Sequence, residues 1–364
     1  MIIYIWNQIT ITMKKICTLL SIILTSLLVA QSYNGPESVE FDFANNRWLI
    51  GNKNTGTVIA RDMNGNFTPF VSGMTSGPYG IEILGNTLYC CYGGGKIRGY
   101  DLTSGTQVFN VNLNATFLNG ICSDGVSNLF VTDFSAKKIY RVDVNTGAFN
   151  VYVTGLTKSP NGIIYEGSNQ RLVFVNWGTS APIQQVALSD SSVTTLVTTS
   201  LSNIDGIAAD AYGNYYVSTW GNNTIRKFSN NFATGPTTVV TGLTSPADLF
   251  YNKITDTLAI PNSGTLNNVV WVGFGSTLNA DQLNTEQEEF VVYPVPASGG
   301  ELTFSFKQAY EEVNVYSIDG RLVFTEKINN ANAQKIQIHL TSGNYLVELC
   351  NKSRKIRKKV TIIE

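Results

Sequence analysis

Apolar positions along this chain fall in short alternating runs, not at helical spacing. Residues 203–244 illustrate it, with strands expected at 206–209, 215–219, 224–228 and 237–241. Between them, residues 210–213 and 221–223 are rich in Gly, Asn and Asp. Period-two alternation over such lengths predicts half-buried strands, and these polar residues make the tight turns. No amphipathic stretch of about ten residues at helical spacing breaks the pattern.

The pattern is periodic. A turn residue, a variable slot, a small residue and an aliphatic return six times, as in Pro160-Asn161-Gly162-Ile163 and Ile204-Asp205-Gly206-Ile207. The slots are Glu37, Tyr79, Asn119, Asn161, Asp205 and Ala247, at spacings of 42, 40, 42, 44 and 42. Four short strands on a period near 42 predict an all-β, six-bladed β-propeller over residues 31–276. The sixth unit shows only three clear strands, so residues 31–34 are expected to supply its fourth and close the ring.

Each slot opens the innermost strand of its blade, so the six converge on one mouth of the central channel. Two carboxylates and two carboxamides then face a common point, which is oxygen-donor chemistry suited to a hard divalent cation such as Ca²⁺ or Mg²⁺. The same residue types also cap turns in propellers that hold nothing. The ends of the second strands open on the same mouth, where Tyr92, Phe134, Trp177 and Trp220 stand at spacings of 42, 43 and 43. Aromatic walls around a few convergent polar groups describe a small-ligand site, although aromatics also fill gaps between blades.

Composition narrows the chemistry. The 364 residues are 43% hydrophobic and 14% charged with net charge −1, which leaves no electrostatic footprint for nucleic acid. His339 is the single histidine, so a His base or a His-rich zinc site is excluded from the propeller. Cys90 and Cys91 are adjacent on one strand and should face opposite ways. Either pairs with Cys122, or all are buried thiols.

The ends carry addresses. Residues 1–30 contain Lys14-Lys15 and then an apolar run from Ile16 to Ala30, the parts of a secretory signal peptide starting at Met13. The run is short for a membrane span and no second apolar segment follows, so the mature chain is expected to lack a transmembrane domain. Residues 277–289 are polar and read as a linker. Residues 290–364 read as a small β-sandwich-like domain. Its 352–359 basic run is expected to be a solvated terminal strand, lacking an aromatic platform for nucleic acid.

Two resemblances follow. "GPESVEFD" (35–42), "LNGICSDGVSNLFVTD" (118–133), "SPNGIIYEGSNQRLVFVNWG" (159–178) and "IDGIAADAYGNYYVSTWG" (204–221) resemble the inner-strand segments of regucalcin and gluconolactonase-type propellers and the looser NHL repeats. That resemblance implies a divalent metal, Ca²⁺ first, held by Glu37, Asn161 and Asp205, with Asn119 a polar contact to substrate. It also implies Lewis-acid hydrolysis of a lactone or ester, with Asp205 as the base that positions or activates water. Phe117 departs from it, since the family often carries Arg there to grip an anionic substrate. The tail resembles the C-terminal sorting domain of the type IX secretion system, through Tyr293-Pro294, Pro296-Ala297, Ser317-Ile318-Asp319-Gly320, Ser342-Gly343-Asn344-Tyr345 and Lys359-Val360. Val295 replaces the usual Asn.

Two functions therefore stand side by side for a secreted or surface-displayed protein. One is a metal-dependent lactonase or esterase. The other is a non-catalytic propeller that binds a ligand or a protein. Both give the mouth a small-molecule partner contacted by Tyr79, Tyr92, Phe134, Trp177 and Trp220, and give residues 290–364 the secretion machinery as theirs.

Overall fold

The computed structural model describes residues 32–274 and most of 290–363; residues 1–31, 275–289, 294–296, 299–300, 307–309, 318–319, 329–332, 339, 352–354 and 364 lie outside the described set. The expected signal peptide, the linker and His339 therefore lie outside it too.

Residues 32–274 form six antiparallel sheets in sequence order. Blade 1 contains β1 (Pro36–Asp42), β2 (Arg47–Asn52), β3 (Thr57–Asp62) and β4 (Phe67–Val71). Blade 2 contains β5 (Ile81–Leu84), β6 (Thr87–Tyr92), β7 (Lys96–Asp101) and β8 (Gln107–Asn112). Blade 3 contains β9 (Leu118–Ser123), β10 (Asn128–Asp133), β11 (Lys138–Asp143) and β12 (Phe149–Val153). Blade 4 contains β13 (Ser159–Glu166), β14 (Arg171–Trp177), β15 (Ile183–Ala187) and β16 (Val193–Val197). Blade 5 contains β17 (Ile204–Ala209), β18 (Tyr215–Thr219), β19 (Thr224–Phe228) and β20 (Thr237–Val240). Blade 6 has three strands, β21 (Phe250–Asn252), β22 (Thr257–Asn262) and β23 (Asn268–Gly273).

The core is six separate apolar layers, one between each pair of neighbouring blades. Strand alternation deals residues to them in turn. On β6, Leu88, Cys90 and Tyr92 pack toward blade 1, while Tyr89 and Cys91 pack toward blade 3. Burying each such aliphatic or aromatic side chain is worth about 1.5–3 kcal/mol. The sixth layer closes the ring, with Val39, Phe41, Trp48, Ile50 and Ile59 of blade 1 against Ala259 and Val269 of blade 6.

Ring closure differs from the expectation for residues 31–34. The described residues 32–34 form no strand, and β23 gains no neighbour from them. A side-chain clasp serves instead: Asn267 Oδ1 accepts from Gly35 N at 2.7 Å and Asn267 Nδ2 donates to Tyr33 O at 2.9 Å. Gly35 already receives a ladder-like bond from Lys53 N, so the segment is spent before it can run along β23.

Cys90 and Cys91 face opposite layers as expected, and Cys122 faces a third, between blades 3 and 4. All three are free thiols, raised by burial.

The tail is a two-sheet β-domain. β24 (Phe290–Tyr293), β25 (Ala297–Ser298), β26 (Glu301–Phe306), β27 (Glu312–Ser317), β28 (Leu322–Lys327), β29 (Ala333–Gln337), β30 (Gly343–Cys350) and β31 (Lys355–Ile363) follow in order. One sheet runs β24-β26-β29 and the other β25-β31-β30-β27-β28. Leu302, Val313, Val315, Ile338, Val347, Leu349, Val360 and Ile362 fill the core.

Candidate functional site

The slot residues reach the channel because the innermost ladders slip there. The register between first and second strands shifts between Pro36 and Ser38, between Val131 and Asp133, between Pro160 and Ile163, and between Ile204 and Ile207. A bulge leaves one residue unpaired and re-aims its side chain. The backbone groups freed by it still need partners. Thr132 Oγ1 accepts from Gly120 N at 2.8 Å and donates to Asn161 O of the next blade at 2.9 Å. Ser218 Oγ does the same for Gly206 N at 2.7 Å and Ala247 O at 2.9 Å. Inner strands thereby approach so closely that a Cβ on Gly120 would lie 2.3 Å from Asn161 O. The same close approach of a neighbouring blade's backbone at Gly80, Gly162 and Gly206 accounts for the glycine after those slots.

At the mouth, Glu37, Asn119, Asn161 and Asp205 are all buried, Asn161 to 2% and Asp205 to 3% exposure. Lys53 joins them. Its Nζ lies 2.8 Å from Glu37 Oε2. The Asp205 carboxyl is raised well above its ordinary range by burial, then by the negative charges of Glu37 and Asp248; Lys53 and the adjacent Asn161 carboxamide oppose the rise. Asn161 Nδ2 is buried, and beyond the Asp205 carboxyl it has no hydrogen-bond partner in the protein. Trp220 Nε1, on the rim, is buried with no hydrogen-bond partner in the protein.

An aromatic arc stands over this floor. Ring centroids lie 4.6 Å apart for Tyr79–Phe117, 5.7 Å for Phe117–Phe134, 5.9 Å for Phe134–Trp177 and 5.2 Å for Trp177–Trp220, each pair edge-to-face. Lys53 Nζ is 5.6 Å from the Trp220 ring. The arc thus runs over blades 2 to 5 and ends on the lysine of blade 1. Asp133 holds part of it in place, accepting from Thr116 N at 2.7 Å and Phe117 N at 3.0 Å.

Below the mouth the channel carries more carboxylates. Asp248 is pushed up to about 8 by burial and then by Glu37 and Glu82. Glu40 is raised well above its range by burial and then by Glu82 and Asp248. Each keeps some exposure to the channel, yet the surrounding protein desolvates it. Glu82 accepts from Ser123 N and Ser123 Oγ at 3.1 and 2.6 Å.

Tyr92 does not join the arc. It ends β6 on the same face as Leu88 and Cys90, in the layer between blades 1 and 2. Its hydroxyl bonds Thr75 N and Thr75 Oγ1, and Arg98 lies 4.0 Å over its ring. Its repeat spacing is one residue out. Backbone bonds equate Phe134 and Trp220 with Gly93 in blade 2, with Ser263 in blade 6 and with Lys53 in blade 1. A shift of one residue along a strand sends a side chain to the other face.

The sequence reading therefore missed Lys53, Phe117 as a wall and Asp248. The signal for Lys53 was alignment of blade 1 on the backbone register, where it takes the position of Trp177 and Trp220. For Asp248 the signal was an acid in a column otherwise filled by Ser38, Gly80, Gly120, Gly162 and Gly206. Among the described residues no group of three His, Cys, Asp or Glu is gathered as a metal cage.

Residues 291–363 match the secretion system C-terminal sorting domain. The chain is exported by type IX secretion, to the cell surface or beyond it, and the tail engages that machinery. Among the described residues no helix is long and apolar enough to cross a membrane. The fold is similar to a chain of the nidogen/laminin complex, with 16% identity, 60% of this chain and 90% of that chain covered, and a TM-score of 0.51. It is also similar to the RRP9 WD40 repeats, with 9% identity, 65% and 89% covered, and a TM-score of 0.52. At such identities the likeness concerns the fold alone, an all-β propeller. No curated protein matches the sequence.

Proposed function

We propose that the propeller is an exported binding module whose channel mouth takes a small organic ligand. The aromatic arc from Tyr79 to Trp220, ending on the Lys53–Glu37 ion pair, carries this reading. Five rings offer an apolar wall that carries one buried donor the protein leaves unpaired, Trp220 Nε1, and the floor offers the Asn161 carboxamide beside the Asp205 carboxyl. Unpaired buried donors are costly, and an acceptor-bearing ligand stacked on the arc would relieve that cost. The reading is tested by tryptophan fluorescence during titration with lactones, aryl esters and soluble sugars. A saturable change that Trp220→Phe alters is expected. No response across the panel, with the fold intact, refutes it.

Metal-dependent hydrolysis is the second reading, favoured by the convergence of Glu37, Asn161 and Asp205 on one mouth. The donor set suits a hard divalent ion in kind, and a cation would offset the negative charges of Glu37 and Asp248 that add to the effect of burial on Asp205. Glu37, Asn161 and Asp205 would hold the ion, which would polarise a lactone or ester carbonyl. The Lys53 ammonium competes with it for Glu37. Melting temperature with and without Ca²⁺, Mg²⁺, Mn²⁺ or Zn²⁺ separates the readings, because an ion that binds the native state raises stability by mass action. A rise in the wild type that is lost in Asp205→Ala supports the metal, and no rise removes it.

A further inference from the structure

On the face of the propeller opposite the mouth, two turns touch the chain's own tail. Turns 210–214 and 252–256 join the first two strands of blades 5 and 6, so they lie at the far end of the channel from the slots. Ala211 and Ile254 in these turns share a cleft with Tyr316, Leu346 and Arg357 of the tail. Gly320, in the turn between β27 and β28 at φ +82°, sits so near that a Cβ would lie 2.8 Å from Lys253 Cδ.

Arg357 is the centre of this contact. Its Nε donates to Glu348 Oε2 at 2.8 Å, and Glu348 is fully buried in the tail. With the guanidinium so aimed, its face lies 5.2 Å over the ring of Tyr212, and Nη1 donates to Lys253 O at 3.4 Å. Tyr212 is 45% exposed, an aromatic platform at the tip of a turn. The basic run expected to be a solvated terminal strand turns one of its cations inward, because β31 alternates and Arg357 falls on the face bearing Glu348. Arg serves here where Lys would not, since a planar guanidinium bonds a carboxylate at its edge while stacking its face on a ring.

We propose that the sorting domain docks on the far face of blades 5 and 6 with Arg357 as the clasp, so that the secretion machinery receives propeller and tail as one body with the mouth pointing away. The contact involves few residues, and covalent tethering supplies the effective concentration that keeps so small an interface closed. The same smallness makes the docking reversible. Export needs no rearrangement of the mouth, and a surface-held tail leaves the mouth facing outward.

The test uses the full chain in dilute solution. A lysine-reactive cross-linker is expected to join Lys253 to lysines of residues 327–359 within a monomer far more often than it joins Lys137 or Lys158, which lie on the mouth side. Hydrogen exchange in turns 210–214 and 252–256 is expected to rise about tenfold in Tyr212→Ala and in Arg357→Lys, with the inner strands unchanged. If Arg357→Lys disturbs the tail, Tyr212→Ala, altered only at an exposed ring of the propeller, still reads the contact. Equal cross-linking of Lys253, Lys137 and Lys158, or unchanged exchange in Tyr212→Ala, overturns the proposal.

Discussion

Lys53 Nζ sits 2.8 Å from Glu37 Oε2, at the point where the aromatic arc of the other blades ends. The two residues belong to one blade, yet what they do depends on its neighbours. Glu37 raises Asp205 of blade 5, and Lys53 opposes that rise. One ammonium therefore offsets part of the repulsion in a channel of crowded carboxylates.

Replacing Lys53 by Met should leave Glu37 buried without its cation. A loss of about 1–3 kcal/mol is expected by urea denaturation at pH 7. Adding Glu37→Gln should recover much of it, because the uncompensated charge goes too. Additive losses in the double variant would mean that the two side chains do not act as a pair.

Asp248 makes stability depend on pH. Its carboxyl is raised to about 8 in the fold, whereas an unfolded Asp titrates near 4. Between these values the native state holds a proton that the unfolded chain has released. The contribution is therefore fully present below about pH 4 and is lost as pH rises through about 8. Asp248→Asn should melt higher than the wild type above pH 8, with the gap closing toward pH 4. Parallel melting curves across that range would refute the assignment.

Thr132 bridges two inner strands through one hydroxyl. Thr132→Val keeps the shape but strands Gly120 N and Asn161 O, so a loss of about 2–4 kcal/mol is expected. Thr132→Ser, which keeps the hydroxyl, should lose much less. Chemical denaturation of the two variants side by side makes the comparison.

Two aromatic positions should separate cleanly. Trp177→Ala opens the arc and should weaken any ligand found in the fluorescence titration by tenfold or more, on the scale of about 1.4 kcal/mol per decade. Tyr92→Phe removes only the bonds to Thr75 and should cost about 1 kcal/mol of stability while leaving ligand affinity unchanged. The opposite pattern would return Tyr92 to the mouth.

Much of this was legible in the chain itself. The spacing of Glu37, Asn119, Asn161 and Asp205 marks repeated strand starts, and the predicted strands 215–219 and 224–228 coincide with β18 and β19. Local alternation and turn chemistry suffice for that, since they depend on neighbours along the chain. Residues 31–34 read differently because ring closure depends on Asn267, more than 200 positions away.

The sequence by itself determined the period, the strands, the polar slots and the address in the tail. These rest on near-neighbour periodicity and on a local motif. Only the tertiary structure decided that Lys53 stands where other blades carry Trp, that Tyr92 faces a blade interface, and that Asp248 shares its field with Glu37 and Glu82. Each of those depends on register between strands and on charge acting through space. A one-residue slip in a strand is nearly invisible in the sequence and reverses which way a side chain points.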